Sequence, residues 1–375
     1  MYEKNYTIRK KCIFCKNDLN KDYFKSDLKN YVGHYAVELE ETNFTEIPFN
    51  VCICEKCNTP QIKYLADINE VYKINHADST GTTMVNLHKL NLEFILKYHS
   101  YIKNVIEIGS SKGVLADMIL ENLKLNYYII EPNFFGDRNN KIIINDFYEN
   151  VNDEEIDADT LIISHVFEHF YEPLQILNKI HKNKKIKNFF LVFPDLEYYI
   201  NNNVLHLLNT EHTYYIDNNF LINLLKSYGF NLVEKIDYIN HSVLFYFRRE
   251  TVKQIQDLDF KNKNYNIDLY FNRINKTVEL FNSVLELNNT VYLWPASIHS
   301  QYLFIFGLNY QKLKGLLDNS KLKINKKIYG SNLNVYSFSD TIKNNDIIFL
   351  INGGVFYKEI ENTLKQNNIK YYTNE

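Results

Sequence analysis

A chain of 375 residues is longer than one hydrophobic core usually supports, so two or three domains are expected. Hydrophobic residues make up 45% and charged residues 23%, an ordinary globular composition, and a formal net charge of -3 argues against a nucleic-acid partner, which would call for a basic excess. No apolar run is long enough to span a membrane and MYEKNYTIRKK lacks the apolar stretch of a signal peptide, so a cytoplasmic protein without a membrane partner is expected.

All five cysteines fall in the first 57 residues. Cys12-Ile-Phe-Cys15 and Cys54-Glu-Lys-Cys57 are two C-x2-C knuckles, and two such pairs complete a tetrahedral Zn²⁺ site of four thiolates with no position left for substrate. Cys52 is the odd residue and competes with Cys54 for the ligand role. Residues 61–100 read as a connector, its second part, 84–98, spaced as an amphipathic helix. The first unit is therefore 1–83, a metal module and connector.

A βαβ pattern runs from residue 104. The strands are NVIEIG, NYYIIEP, KIIIND, ADTLIIS and NFFLVFPD, with helices over VLADMILENL and YEPLQILNKIHK. This alternation predicts an α/β fold with a parallel sheet covered on both faces. After a helix near 218–228, FNLVEKI and HSVLFYFRR follow with no helix between them, so an antiparallel hairpin is expected at the sheet edge. That ending separates a class I methyltransferase domain, here 84–251, from a nicotinamide-binding Rossmann domain, and no G-x-G-x-x-G is present. From 252 a smaller Rossmann-like α/β unit is expected. It has a helix over 268–287, strands TVYLWP, KLKGLLD and DIIFLIN, and helices SQYLFIFGL and KEIENTLKQ.

The strand ends carry a coherent set of groups. Glu107-Ile-Gly109-Ser110-Ser-Lys-Gly113 joins the first strand to a helix: Gly109 permits a tight turn near a ligand, Gly113 lets the helix start pack on the sheet, and Glu107 can attract the cationic end of S-adenosylmethionine (SAM). Glu131 ends the second strand, where a carboxylate can accept from both ribose hydroxyls. Asp146 and Phe147 follow the third strand, placed for the adenine amine and the base's face, and Ser164-His165 ends the fourth.

Taken together, these stretches resemble the three-domain sugar methyltransferases, including those that methylate carbon on nucleotide-linked deoxysugars. The resemblance is carried by the two cysteine knuckles, EIGSSKG, IIEPN, SHVFEHFYEP, FPD, EHTYY, SQYL, LLDNSKLKINKKIYGS and DIIFLINGG. It implies a zinc-binding N-terminal module, a central SAM domain and a C-terminal Rossmann-like domain that helps hold a nucleotide-sugar. The family's carbon-methylating members carry Tyr-His-Glu-His where this chain has Asn209-Thr-Glu211-His212, so the tyrosine assigned to proton abstraction or substrate contact is Asn209 here. That departure favours oxygen over carbon as the methylated atom. WPASIHSQ also lacks the glycine of the family's nucleotide turn.

Methyl transfer needs alignment and a base more than activation of the leaving group. His212, oriented by Glu211, is the first candidate base; His165 and His169 are the others, with Glu168 a second orienting carboxylate. The acceptor expected is an activated sugar or similar small metabolite of surface-polysaccharide synthesis. Two competing expectations are an RNA-directed methyltransferase and an inactive methyltransferase fold serving as a binding protein.

Overall fold

The computed structural model describes residues 6–27, 47–72, 82–202, 207–238, 242–250, 261–263, 267–321, 323–328, 331–342, 348–351 and 357–373. Part of the expected connector (73–81) and the Asn352–Gly354 end of DIIFLINGG lie outside them. Among the described residues no helix is long and apolar enough to cross a membrane.

Five short strands build the cysteine module: β1 (Tyr6–Ile8), β2 (Phe24–Lys25), β3 (Asn50–Ile53), β4 (Pro60–Ile62) and β5 (Tyr64–Ala66). β1 pairs with β5, and β2, β3 and β4 form an antiparallel sheet. The start of the expected connector, from Gln61 to Ala66, therefore belongs to the module's sheets. The helical reading of 84–98 corresponds to the helix Thr82–Leu96.

The central sheet has seven strands: β6 (Val105–Ile108), β7 (Tyr127–Ile130), β8 (Ile142–Ile144), β9 (Thr160–Ser164), β10 (Asn188–Pro194), β11 (Phe230–Tyr238) and β12 (Ser242–Arg249). Their spatial order is β11-β12-β10-β9-β6-β7-β8. The chain starts in the middle at β6, runs outward through β7 and β8, then returns to β9 on the other side. A crevice therefore opens between β6 and β9, beyond their C-terminal ends. β10 is buried at every position, as a strand covered on both faces must be. The terminal hairpin lies at the sheet edge and is antiparallel, as expected, and the structure adds the order within it. β12 inserts between β10 and β11, antiparallel to both, and only β11 lies at the edge. The inserted strand, SVLFYFRR, is buried from Ser242 to Phe247, whereas β11 alternates polar and apolar residues and suits an edge.

The C-terminal unit is a five-stranded parallel sheet in the order β15-β14-β13-β16-β17, built from β13 (Val291–Trp294), β14 (Gly315–Leu317), β15 (Val335–Tyr336), β16 (Ile348–Ile351) and β17 (Lys370–Thr373). The long helix Ile267–Leu287 covers it. KLKGLLD is shorter as a strand than its sequence suggests, because Tyr310–Lys312 forms a 3-10 turn and only Gly315–Leu317 pairs.

Among its described residues, the cysteine module has one small cluster of its own, around Ile47, Ala66 and Val71, and shares the rest of its core with the other units. Cys12, Phe14 and Cys57 pack in one apolar cluster with Phe167, Tyr214 and Phe220 of the central unit. Phe49, Val51 and Ile62 pack in another with Leu196 and Tyr199 and with Tyr302 and Leu303 of the C-terminal unit. Main-chain pairing reinforces this. Ile62 N–H donates to Thr213 O and Tyr215 N–H to Pro60 O, both at 3.0 Å, so β4 is extended by the segment after His212. The buried Arg9 guanidinium closes the joint, donating to Thr213 O at 2.6 Å, Tyr171 O at 3.1 Å and Ile62 O at 3.4 Å. Burial draws Arg9 down to about 10, which leaves it a cation at neutral pH. Replacing it removes the donor shown for Tyr171 O and leaves Thr213 O with Ile62 N–H alone. Arg9→Met should therefore lose about 3 kcal/mol of stability, read as a lower urea midpoint, whereas an unchanged midpoint would contradict the joint.

Candidate active site and cysteine cluster

The two knuckles fold alike. Lys16 and Asn58, the residues after Cys15 and Cys57, both take left-handed backbone, at φ 58° and 56°. Lys16 N–H returns to Cys12 O and Asn58 N–H to Cys54 O; Cys12 N–H is met by Asn17 O and Cys54 N–H by Thr59 O. The two loops bring the Sγ atoms of Cys12, Cys15, Cys54 and Cys57 within 4.8 Å of one another. The contacts cross between knuckles, Cys12 to Cys57 at 3.5 Å and Cys15 to Cys54 at 3.4 Å. Contact with Cys57, the largest influence, draws the Cys12 thiol down to about 5. The same contact pushes Cys57 up, so the pair shares one proton, and it is the convergence of four sulfur donors from two knuckles that has the chemistry of a structural zinc site. Cys52 lies apart in β3, its thiol directed at Asp22 Oδ1, 3.4 Å away.

Beyond β6 and β9 lies a cleft of about 620 Å³. Glu107, Gly109, Ser110, Glu131, Phe147, Ser164 and His165 line it, as the sequence pattern suggested. Gly109 has φ +72°, and a Cβ there would come within 2.3 Å of Val166, so backbone conformation and space both demand glycine. Ser110 Oγ is buried in the cleft wall with no partner in the structure, a polar atom suited to a ligand. Glu131 Oε2 accepts from Ser111 N–H and Oε1 from Asn133 N–H, each at 3.1 Å, which fixes the carboxylate at the cleft's edge with lone pairs to spare. Burial raises its pKa. Burial likewise lifts Glu107 to about 7, against the hydroxyl of Tyr127, which donates to Oε2 at 2.8 Å and favours the ionised form. A cation brought into the cleft would restore the charge.

Two residues of the sequence-based set stand back from the cleft. Gly113 caps the helix Val114–Asn122 at φ +75°, against Phe134 and Ile129. Asp146 is not among the lining residues; its Oδ1 holds Phe147 N–H and the Asn150 amide, so it shapes the turn that presents Phe147.

The far end of the cleft holds Glu168, His169, Asn209, Glu211 and His212. Asn209 Oδ1 accepts from Glu211 N–H at 2.9 Å and His212 N–H at 2.7 Å, a local turn bond that a tyrosine could not form. His212 Nε2 lies 4.0 Å from Glu168 Oε1, and its ring meets His169 edge to face at 4.8 Å. His169 Nδ1 is 3.0 Å from the Tyr72 hydroxyl. His165 sits at φ +52°, with Nδ1 3.2 Å from Glu168 Oε1 and Nε2 2.9 Å from Ser242 Oγ. With both ring nitrogens engaged, His165 works as a strut between β9 and β12 more readily than as a base. Tyr72, Ser242 and Arg9 were not singled out from the sequence. They lie in the connector, the terminal hairpin and the first strand, and only the fold brings them here.

Residues 86–235 match a family model described as a methyltransferase domain. The central unit matches a methyltransferase domain. No curated protein sequence matches the chain. Similar solved structures include a 1,6-didemethyltoxoflavin-N1-methyltransferase from Burkholderia thailandensis (10% identity, 49% of this chain and 83% of that one, TM-score 0.37). The N-methyltransferase NodS from Bradyrhizobium japonicum is similar at 11% identity over 49% of this chain and 98% of its own, TM-score 0.37. Magnesium protoporphyrin IX methyltransferase from Synechocystis PCC 6803 is similar at 12% identity over 49% and 94%, TM-score 0.37. The methyltransferase assignment rests on the family model together with the strand order and the glycine turn.

Glu131 offers the methyltransferase domain a direct test. If the Glu131 carboxylate accepts from both ribose hydroxyls, Glu131→Ala removes two charge-assisted hydrogen bonds, each worth about 1.5–3 kcal/mol. Affinity for S-adenosylhomocysteine (SAH), measured by calorimetry, should fall at least about 100-fold. Unchanged affinity would place the ribose elsewhere.

Proposed function

We propose that the protein transfers the SAM methyl group to a hydroxyl of an activated sugar or related small metabolite, consistent with a place in surface-polysaccharide synthesis. The observation that carries this reading is one continuous cleft. Its lining holds both a glycine turn with the Glu131 carboxylate and an imidazole–carboxylate cluster, with Tyr72 between Phe147 and His169. SAM supplies an electrophilic methyl on a sulfonium that leaves readily. Glu131 holds the ribose, Ser110 and the Gly109 turn hold the amino-acid end, and Phe147 covers the base. Glu107 supplies negative charge beneath the bound cation. At the acceptor end, the hydroxyl proton passes to the His212–Glu211 pair while Asn209 keeps that pair in position. Ile298, which starts the helix after β13 in the C-terminal unit, also lines the cleft, which supports an acceptor long enough to reach both units.

Oxygen is favoured over carbon because the 209 position carries a turn-forming asparagine, not a second acid–base group. His212→Ala should keep SAH binding and slow methyl transfer to the acceptor about 10²–10⁴-fold. Full activity in that variant would remove His212 from the reaction.

The same reading takes Zn²⁺ as the occupant of the four-cysteine cluster, in a structural role. Metal analysis of purified protein should find close to one zinc per chain. Cys54→Ser should lose it and Cys52→Ser should keep it; the reverse pattern would exchange the two assignments.

A further inference from the structure

We infer that Glu168, His169 and His212 form a second metal site, which holds a divalent first-row ion at the acceptor end of the cleft. The inference rests on the methyltransferase reading and deepens it. One ligand atom from each of the three residues falls within 4.8 Å of the others. Two imidazoles and a carboxylate are a competent donor set for such an ion, and three protein ligands leave a position open, as at catalytic rather than structural zinc sites. Tetrahedral coordination at about 2.1 Å puts ligand atoms about 3.5 Å apart, so side-chain shifts of about an ångström close the site.

A second, independent observation points to a cation. Glu168 is 1% exposed, lines the cleft, and its Oε2 has no hydrogen-bond partner in the structure. A buried carboxylate oxygen left without a partner is costly, and a cation in the cleft removes that cost. The surroundings agree. Among the described residues, the lining includes Glu107, Glu131, Glu149, Glu168 and Glu211 against Lys112 as the only lysine or arginine, so the cleft attracts positive charge. The three candidates are also braced from behind, as metal ligands usually are. Tyr72 OH meets His169 Nδ1 at 3.0 Å, His165 Nδ1 meets Glu168 Oε1 at 3.2 Å, and Asn209 Oδ1 holds the His212 backbone at 2.7 Å.

The ion gives the site a way to ionise a hydroxyl near neutral pH. The acceptor oxygen takes an open position, and its O–H becomes more acidic. With the ion bound, His212 acts as a ligand in place of the base role given it above, and the member of the pair that takes the proton is the carboxylate of Glu211. The oxygen lone pair forms the new C–O bond as the methyl–sulfur bond breaks, and the electron pair of that bond returns to sulfur, giving neutral SAH. An acceptor with adjacent hydroxyls, as on a sugar ring, would fill two open positions and be held in register.

The test adds Co²⁺ to zinc-loaded protein, with and without SAH, and reads visible d–d absorption and bound cobalt per chain. The expected result is one cobalt on nitrogen and oxygen ligands, without a sulfur-to-cobalt charge-transfer band. Glu168→Gln and His212→Gln should each abolish it while keeping SAH binding. Tyr72→Phe should weaken it about 10–100-fold. No cobalt bound to wild-type protein, cobalt on sulfur alone, or full retention in both variants would overturn the site. SAH calorimetry on zinc-loaded protein without cobalt tests the methyltransferase reading separately. SAH binding without cobalt binding removes only the second ion, and cobalt binding without SAH binding removes only that reading.

Discussion

The structure depends on one piece of irregular β pairing: Pro60–Ile62 of the cysteine module laid against Thr213–Tyr215 of the methyltransferase domain. A loop that carries candidate proton-transfer groups has to leave the sheet, and its own backbone then needs partners. Here the partners come from another part of the chain. β4 takes the main chain, Arg9 takes the Thr213 and Tyr171 carbonyls, and Tyr214 OH reaches Phe167 O at 2.5 Å. The same joint continues outward: Asn262 bonds Thr59, Tyr215 and Asp217, so the chain leaving the central unit is latched to the second knuckle. Holding the knuckles closed therefore holds the loop that ends one side of the cleft.

That arrangement accounts for a small module with little core of its own. Its apolar residues are spent on interfaces with the two α/β units. A structural ion on the four thiolates would supply the order that a module of this size cannot draw from burial alone. Electrostatics governs the cleft itself. Glu107, Glu168 and Glu211 are buried at 3%, 1% and 2% exposure, and carboxyl groups so buried are costly to ionise without a cation or hydrogen-bond donors beside them. Such a cleft is organised for cationic occupants, and a sulfonium is one.

Much of this was legible in the sequence, and for identifiable reasons. Alternating strands and helices, the glycine turn and Glu131 are local signals, each read from a few adjacent residues. The C-x2-C spacing carried the cysteine cluster, and the matching turns at Lys16 and Asn58 explain why Cys54 and not Cys52 takes part. What was not legible depends on distant contacts. The insertion of β12 inside the sheet follows from burial on both faces, which pattern alone suggested only as a hairpin. Asp146 reads as an adenine ligand by position, yet its oxygen is used by its own turn. Asn209 reads as a missing tyrosine, whereas its amide oxygen builds the turn beneath His212. Tyr72 and Ser242 meet His169 and His165 across 97 and 77 residues, a pairing that no spacing rule reveals.

The central claim is that the cysteine module splints the acceptor loop. Hydrogen exchange on protein loaded with zinc, before and after chelation, tests it most directly. The account requires the amides of Ile62, Thr213 and Tyr215 to lose protection together when the metal is removed, while the strands β6, β9 and β10 keep theirs. Protection at Thr213 and Tyr215 that survives loss of the metal and opening of the knuckles would contradict it.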